Sequence, residues 1–208
     1  MIKKIILMIA FVVITIVVIF TYNYLSEPLV LNCCHGEQYN WKTYTSDQYG
    51  FDFQYPALLL EVKESGGVTT LSHSIDYTHP NACDFKDDAP PLKKLSDFGV
   101  TIRVVNQGLK KYVDDNTYFG WMMISQNPVS IGPLNGFKII EGVVGCGKYT
   151  YYFELSPNKT LVVDRAMVTE FTSTIANYQT YLNLSGIIQP SLADEFFKNI
   201  LSTFKVTK

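Results

Sequence analysis

The stretch 137–168, FKIIEGVVGCGKYTYYFELSPNKTLVVDRAMV, decides the fold. It holds three apolar and aromatic runs, Phe137–Val144, Tyr149–Leu155 and Thr160–Val168, separated by GCGK at 145–148 and SPNK at 156–159. Gly, Pro and Asn supply the backbone conformations that tight turns need. The runs are short for helices and rich in β-branched and aromatic residues, the types that fit a pleated, half-buried surface. The spacing predicts an antiparallel meander with GCGK as one of its hairpin turns.

Working outward, FGVTIRVVN at 98–106 alternates, with Val100, Ile102 and Val104 on one face. Val68–Tyr77 reads as another strand, with Val68, Leu71 and Ile75 inward, and Leu58–Lys63 as its partner across Gly66-Gly67. YGFDFQY at 49–55 places Tyr49, Phe51, Phe53 and Tyr55 on one face and is ended by Pro56. Leu109, Tyr112, Val113 and Asn116 repeat at helical spacing. A second helix opens at Pro190-Ser191, where Ser191 and Asp194 have capping-box spacing, and carries the stripe Leu192, Phe196, Ile200, Leu201 before an extended STFKV. Between the strands, 79–97 reads as one long loop, a feature that in compact domains is usually functional or tethered. Strands, a helix, a meander and a final helix make an α+β fold, an antiparallel sheet flanked by helices.

That domain, 41–208, follows a different kind of segment. Ile5–Phe20, IILMIAFVVITIVVIF, has Thr15 as its one polar side chain, with Lys3 and Lys4 just before it. Residues 5–22 reach the short end of what a bilayer needs, roughly 17–25 helical residues. The reading is one N-terminal transmembrane helix, ahead of a cleaved signal peptide and of lipidation at Cys33. No small-x-small cleavage pattern follows the apolar run, and Asn32 precedes Cys33 where a small residue is wanted. The two lysines place residues 1–4 in the cytoplasm, 23–40 as a juxtamembrane linker, and the domain outside the cytoplasmic membrane.

With 17 basic and 19 acidic residues and no basic stripe, nucleic acid is not an expected partner. The expected partners are the membrane, through the helix, and an envelope protein. The four cysteines, Cys33, Cys34, Cys83 and Cys146, would face an oxidising compartment. Four allow three pairings. A bond between vicinal Cys33 and Cys34 would form a strained ring. Cys83 sits in a polar loop and Cys146 in a Gly-Cys-Gly turn, where both can approach freely, so Cys83–Cys146 is the favoured bridge, with four free thiols as the alternative.

The segments WKTYTSDQYGFDFQYP at 41–56 and ILSTFKV at 200–206 resemble a PsbP-like domain, named for a photosystem II extrinsic subunit. The likeness runs in pattern over 41–208 and extends to uncharacterised membrane-anchored bacterial envelope proteins with CDFK-like and GCG-like segments, here at 83–86 and 145–147. It implies an antiparallel sheet flanked by helices. It implies no photosystem partner, since no motif for that partner is present.

No catalytic, cofactor or metal set is assigned. Cys33-Cys34-His35 with Glu37 is the densest group of soft ligands, but adjacent residues do not converge on one ion and no C-x-x-C or H-x-x-H spacing supports them. His79 near Cys83 would form a nucleophile pair only with an oxyanion site and an orienting residue. His73, between Ser72 and Ser74, reads as a sheet-surface residue. Glu141, Glu154, Asp164 and Glu170 read as the wet face of an antiparallel sheet. The expectation is a membrane-tethered, non-catalytic binding or assembly domain. The alternative is a small extracytoplasmic enzyme or metal-binding protein using the 79–97 loop or the Cys33-Cys34-His35 cluster.

Overall fold

The meander forms as its turns require, within a larger sheet. The computed structural model describes residues 39–86, 88–116, 123–143 and 146–207. The expected anchor at 5–22 lies outside these, as do Cys33, Cys34, His35 and the linker up to 38. Among the described residues no helix is long and apolar enough to cross a membrane. Tyr39–Lys208 is one compact unit.

Its strands are β1 (Trp41–Ser46), β2 (Phe51–Pro56), β3 (Glu61–Ser65), β4 (Val68–His79), β5 (Leu92–Val105), β6 (Met123–Ile131), β7 (Leu134–Val143), β8 (Cys146–Ser156), β9 (Lys159–Ala166) and β10 (Lys205–Val206). The helices are α1 (Leu109–Asn116), α2 (Tyr178–Leu182) and α3 (Pro190–Ser202), with a 3-10 turn at Thr169–Phe171 before α2. Seven strands form one antiparallel sheet in the order β3-β4-β5-β9-β8-β7-β6, and β1-β2-β10 form a second of three. The expectation of a single sheet is corrected here. YGFDFQY turns its aromatic face inward as read, but pairs with β1 and β10, where Phe51 stacks on Phe204 with ring centroids 5.0 Å apart. β2 packs its Phe51 and Phe53 into the core from this separate sheet.

Both faces of the large sheet are covered. On one lie the small sheet and α3, which buries Ala193, Phe196, Phe197, Ile200 and Leu201 against Val100, Ile102, Tyr151, Phe153 and Val163. On the other, α1 lays Val113 over Ile139, Tyr152 and Val162. Hence Thr150, Tyr151, Tyr152 and Phe153 are consecutive buried residues, although strand side chains alternate.

Several boundaries differ from the sequence reading, each for a local reason. LKKLSD at 92–97 is the start of β5, pairing Leu92 with His79 and Leu95 with Ile75 across a bulged ladder, so the loop shrinks to 80–91. The charges of 92–97 hide strand periodicity there. Within β4 it is Thr69 and Leu71 that are buried, not Val68. β7 ends at Val143 and β8 begins at Cys146, its register partner, so Cys146 is a strand residue and not a turn residue. β6, a polar edge strand containing Pro128, shows too little alternation to be read, as does the short α2. Ser191 lies inside α3, whose N-cap is Gln189 with no side-chain cap, and Asp194 bonds Arg165 instead of the helix start.

Two glycines have steric reasons. Gly67 (φ +82°) closes the β3–β4 turn, where an added Cβ would lie 2.2 Å from the Tyr49 hydroxyl. Gly132 (φ +55°) sits in the β6–β7 turn against the backbone of Ser202, the end of α3, where a Cβ would approach to 2.6 Å. The second contact holds the β6–β7 hairpin beside α3 and shapes the cleft described next.

Candidate functional site

A cleft runs along the flank of α3 where the helix lies on the large sheet. Its two lobes have volumes of about 400 and 540 Å³, and both are lined by Tyr149, Arg165 and Asp194. That size suits a bound group, since ligand sites commonly span roughly 300–1,000 Å³. One lobe is closed by Thr169 and Phe171 of the 3-10 turn and by Pro190 and Ala193 at the start of α3. The other reaches Lys138 on β7, Lys198 on α3 and Ser130 on β6.

Register explains the convergence. Lys138 faces Tyr151 across β7–β8, and Tyr149 faces Arg165 across β8–β9, so all four point to the α3 side. Lys138 Nζ sits 4.1 Å from the centroid of the Tyr149 ring and 5.7 Å from that of Tyr151. Such cation–π contacts contribute on the order of 0.5–2 kcal/mol. Arg165 lies over the Phe197 ring, its Cζ 4.8 Å from the centroid, and donates from Nη2 to Asp194. Burial pushes the Lys138 pKa down, and the Arg165 charge pushes it the same way, while Asp194 opposes both. Burial also raises the Tyr151 phenol, against the influence of Arg165. At Lys138 the repulsion from Arg165 therefore outweighs the attraction of Asp194.

Beyond the Thr169 end of the cleft lies the disulfide. Cys83 is bonded to Cys146, joining the 80–91 loop to the start of β8, with the Thr169 hydroxyl 3.6 Å from Cys83 Sγ. Cys83 thus has no thiol for a nucleophile pair with His79, a role that needs a thiolate. His79 is buried, its Nδ1 2.8 Å from the Pro80 carbonyl and its Nε2 3.2 Å from the Lys94 carbonyl. Its ring packs beside Tyr77 and Tyr181, and Glu170 comes within 3.9 Å. Its contacts tie the loop to β5 and α2.

His73 is not a sheet-surface residue. Its Nδ1 meets Asp97 Oδ1 at 2.7 Å, and Asp97 Oδ2 accepts from the Ile188 N–H at 2.7 Å. Asp97 is fully buried in the wall of the lobe closed by Thr169, anchoring the segment that leads into α3. Within LKKLSD it looks like one more loop charge; the bulge at His73/Ser74 turns it inward.

On the opposite face, Asp164 accepts from Arg103 Nη1 at 2.6 Å, Thr150 Oγ1 at 2.7 Å and Lys148 Nζ at 3.1 Å. Burial alone would raise its pKa, but these three hydrogen bonds, Arg103 first, outweigh it and hold the carboxyl below its usual range. A depressed carboxylate stabilises the fold fully above the unfolded-state pKa, and that contribution is lost as pH falls through the folded value. Denaturant unfolding from pH 7 down to pH 3 should therefore show a loss of stability that Asp164→Asn lessens. An unchanged acid limb in that variant would remove Asp164 from the account. Asp164 is thus a structural ion-pair centre rather than a wet-face residue. Glu154 is exposed, as expected.

No protein-family model matches the chain, and neither does any curated protein. Among solved structures the chain is similar to a protein from Bacteroides thetaiotaomicron VPI-5482, at 11% identity over 80% of this chain and 48% of that one, with a TM-score of 0.44. It spans about half the length of that protein. It is also similar to the cyanobacterial PsbP of Synechocystis sp. PCC 6803, at 12% identity over 84% of this chain and 96% of that one, with a TM-score of 0.33. PsbP is thus found among its structural neighbours, and neither likeness bears on function.

Proposed function

We propose that this chain is a membrane-tethered, non-catalytic binding domain, held outside the cytoplasmic membrane by residues 5–22 and docking an envelope partner. The observation that carries the reading is the cleft along α3. Its walls come from β7, β8, β9 and α3, elements that are packed into the core, so its side chains are placed before any partner arrives. Sites built on rigid elements lose little conformational entropy on binding. The disulfide supports the placement outside, since such bonds persist in oxidising compartments.

Protease added to spheroplasts expressing the full chain, with the outer layers removed and the cytoplasmic membrane intact, tests the topology. Removal of the domain without lysis is the expected result. Full protection until the membrane is broken would place the domain in the cytoplasm and overturn this reading.

A further inference from the structure

The occupant of the cleft can be named by its charge. Lys138 is half-buried between β7 and α3, and no described carboxylate lies within ion-pair distance of it. Its ammonium is held by two aromatic rings, an arrangement that fixes position but does not neutralise charge. Arg165, a second cation lining the same lobe, uses one arm of its guanidinium on Asp194 and retains further N–H donors. Lys198 adds a third cation at the lip. Among the described lining residues, three cations against Asp194 alone make this lobe positive on a chain that is net acidic overall.

An arriving carboxylate would pair with Lys138, relieve its repulsion from Arg165, and meet a planar donor fork suited to carboxylate oxygens. Asp194 already demonstrates that contact from within the chain. The two lobes join through Tyr149, Arg165 and Asp194, making the cleft elongated, a shape for an extended segment more than for a single compact ion.

We infer that the cleft recognises the carboxylates of an acidic polypeptide segment, with Lys138 and Arg165 as the paired contacts. The inference rests on the binding reading given above and adds the chemistry of the partner.

The test uses the full chain in neutral phosphatidylcholine nanodiscs and fluorescence anisotropy of a labelled hexaglutamate peptide. Saturable binding is expected, weakening as salt rises because exposed charge attraction is screened. Lys138→Gln should weaken it about tenfold or more, the scale of losing one charged contact. Lys138→Arg should retain most of it, and Lys110→Gln, on the far face, should leave it unchanged. The net acidic chain would otherwise repel such a peptide, so binding at all is informative.

Absence of saturable binding, or full binding by Lys138→Gln, overturns the inference. Complete displacement by millimolar inorganic phosphate also overturns it, showing a small-oxyanion site instead. A hexaglutamine peptide binding equally well and competing from the same cleft would overturn the acidic assignment while leaving the binding reading intact.

Discussion

Replacing Cys83 and Cys146 by serine should lower the unfolding free energy by about 4 kcal/mol, the largest loss expected from any change outside the core. The bond closes a loop with a sequence separation of 63 residues. The chain-entropy relation assigns about 4 kcal/mol to a loop of that length. In this molecule the bond also pins the 80–91 loop to the start of β8. Asn81 caps the Cys83 N–H, and Asp84 accepts from the N–H groups of Lys86 and Ala89, all of them contacts within the loop. His79, at the loop's root, reaches β5 through the Lys94 carbonyl. Denaturant melts of the double serine variant, compared with the reduced parent, should agree within about 1 kcal/mol if the bond itself is responsible. Stability equal to that of the oxidised parent would mean that the loop closes without it.

Asp97→Ala should cost about 3 kcal/mol. Two donors, the Ile188 N–H and His73 Nδ1, would lose their acceptor, and the Ile188 N–H is buried. An orphaned buried donor costs roughly 1–3 kcal/mol. Asp97→Asn should cost less, since its one carbonyl oxygen can still serve one of the donors. The larger consequence is positional: Ile188 precedes α3, whose first turn borders the cleft. Loss of amide-exchange protection in 186–193, with the β7–β8 ladder unchanged, is the accompanying signature. Equal stabilities of the alanine and asparagine variants would contradict the two-donor account.

What could be read from residues alone follows the strength of the local pattern. Phe51 and Phe53, Val100 and Ile102, and the stripe on α3 announce their burial because one face of each element is uniformly apolar. The turns at Gly66-Gly67 and Ser156–Lys159 are legible because few residues fit them. The pairing of YGFDFQY with a separate sheet was not legible, since alternation fixes which face is buried and is silent on the neighbouring strand. Asp97 and His73 were hidden by a bulge, which shifts faces without a trace in hydropathy. The cleft was missed for a related reason. Lys138, Tyr149 and Arg165 are 27 positions apart at most and come together only through register, while each taken singly is an ordinary strand residue. A lysine opposite a tyrosine within the aromatic meander was the available signal. Cys83 and Cys146 were legible because a polar loop at 83 and flanking glycines at 146 leave both free to approach a partner.

On the reading proposed above, the domain works through the cleft beside α3. Site-specific photocrosslinking in native membranes tests it most directly, with a benzoylphenylalanine placed at Lys198 on the lip or at Lys110 on the opposite face. An ultraviolet-dependent adduct is expected from position 198, abolished by Lys138→Gln, and none from position 110. Adducts of equal yield from both positions, or an adduct at 198 indifferent to Lys138→Gln, would contradict it.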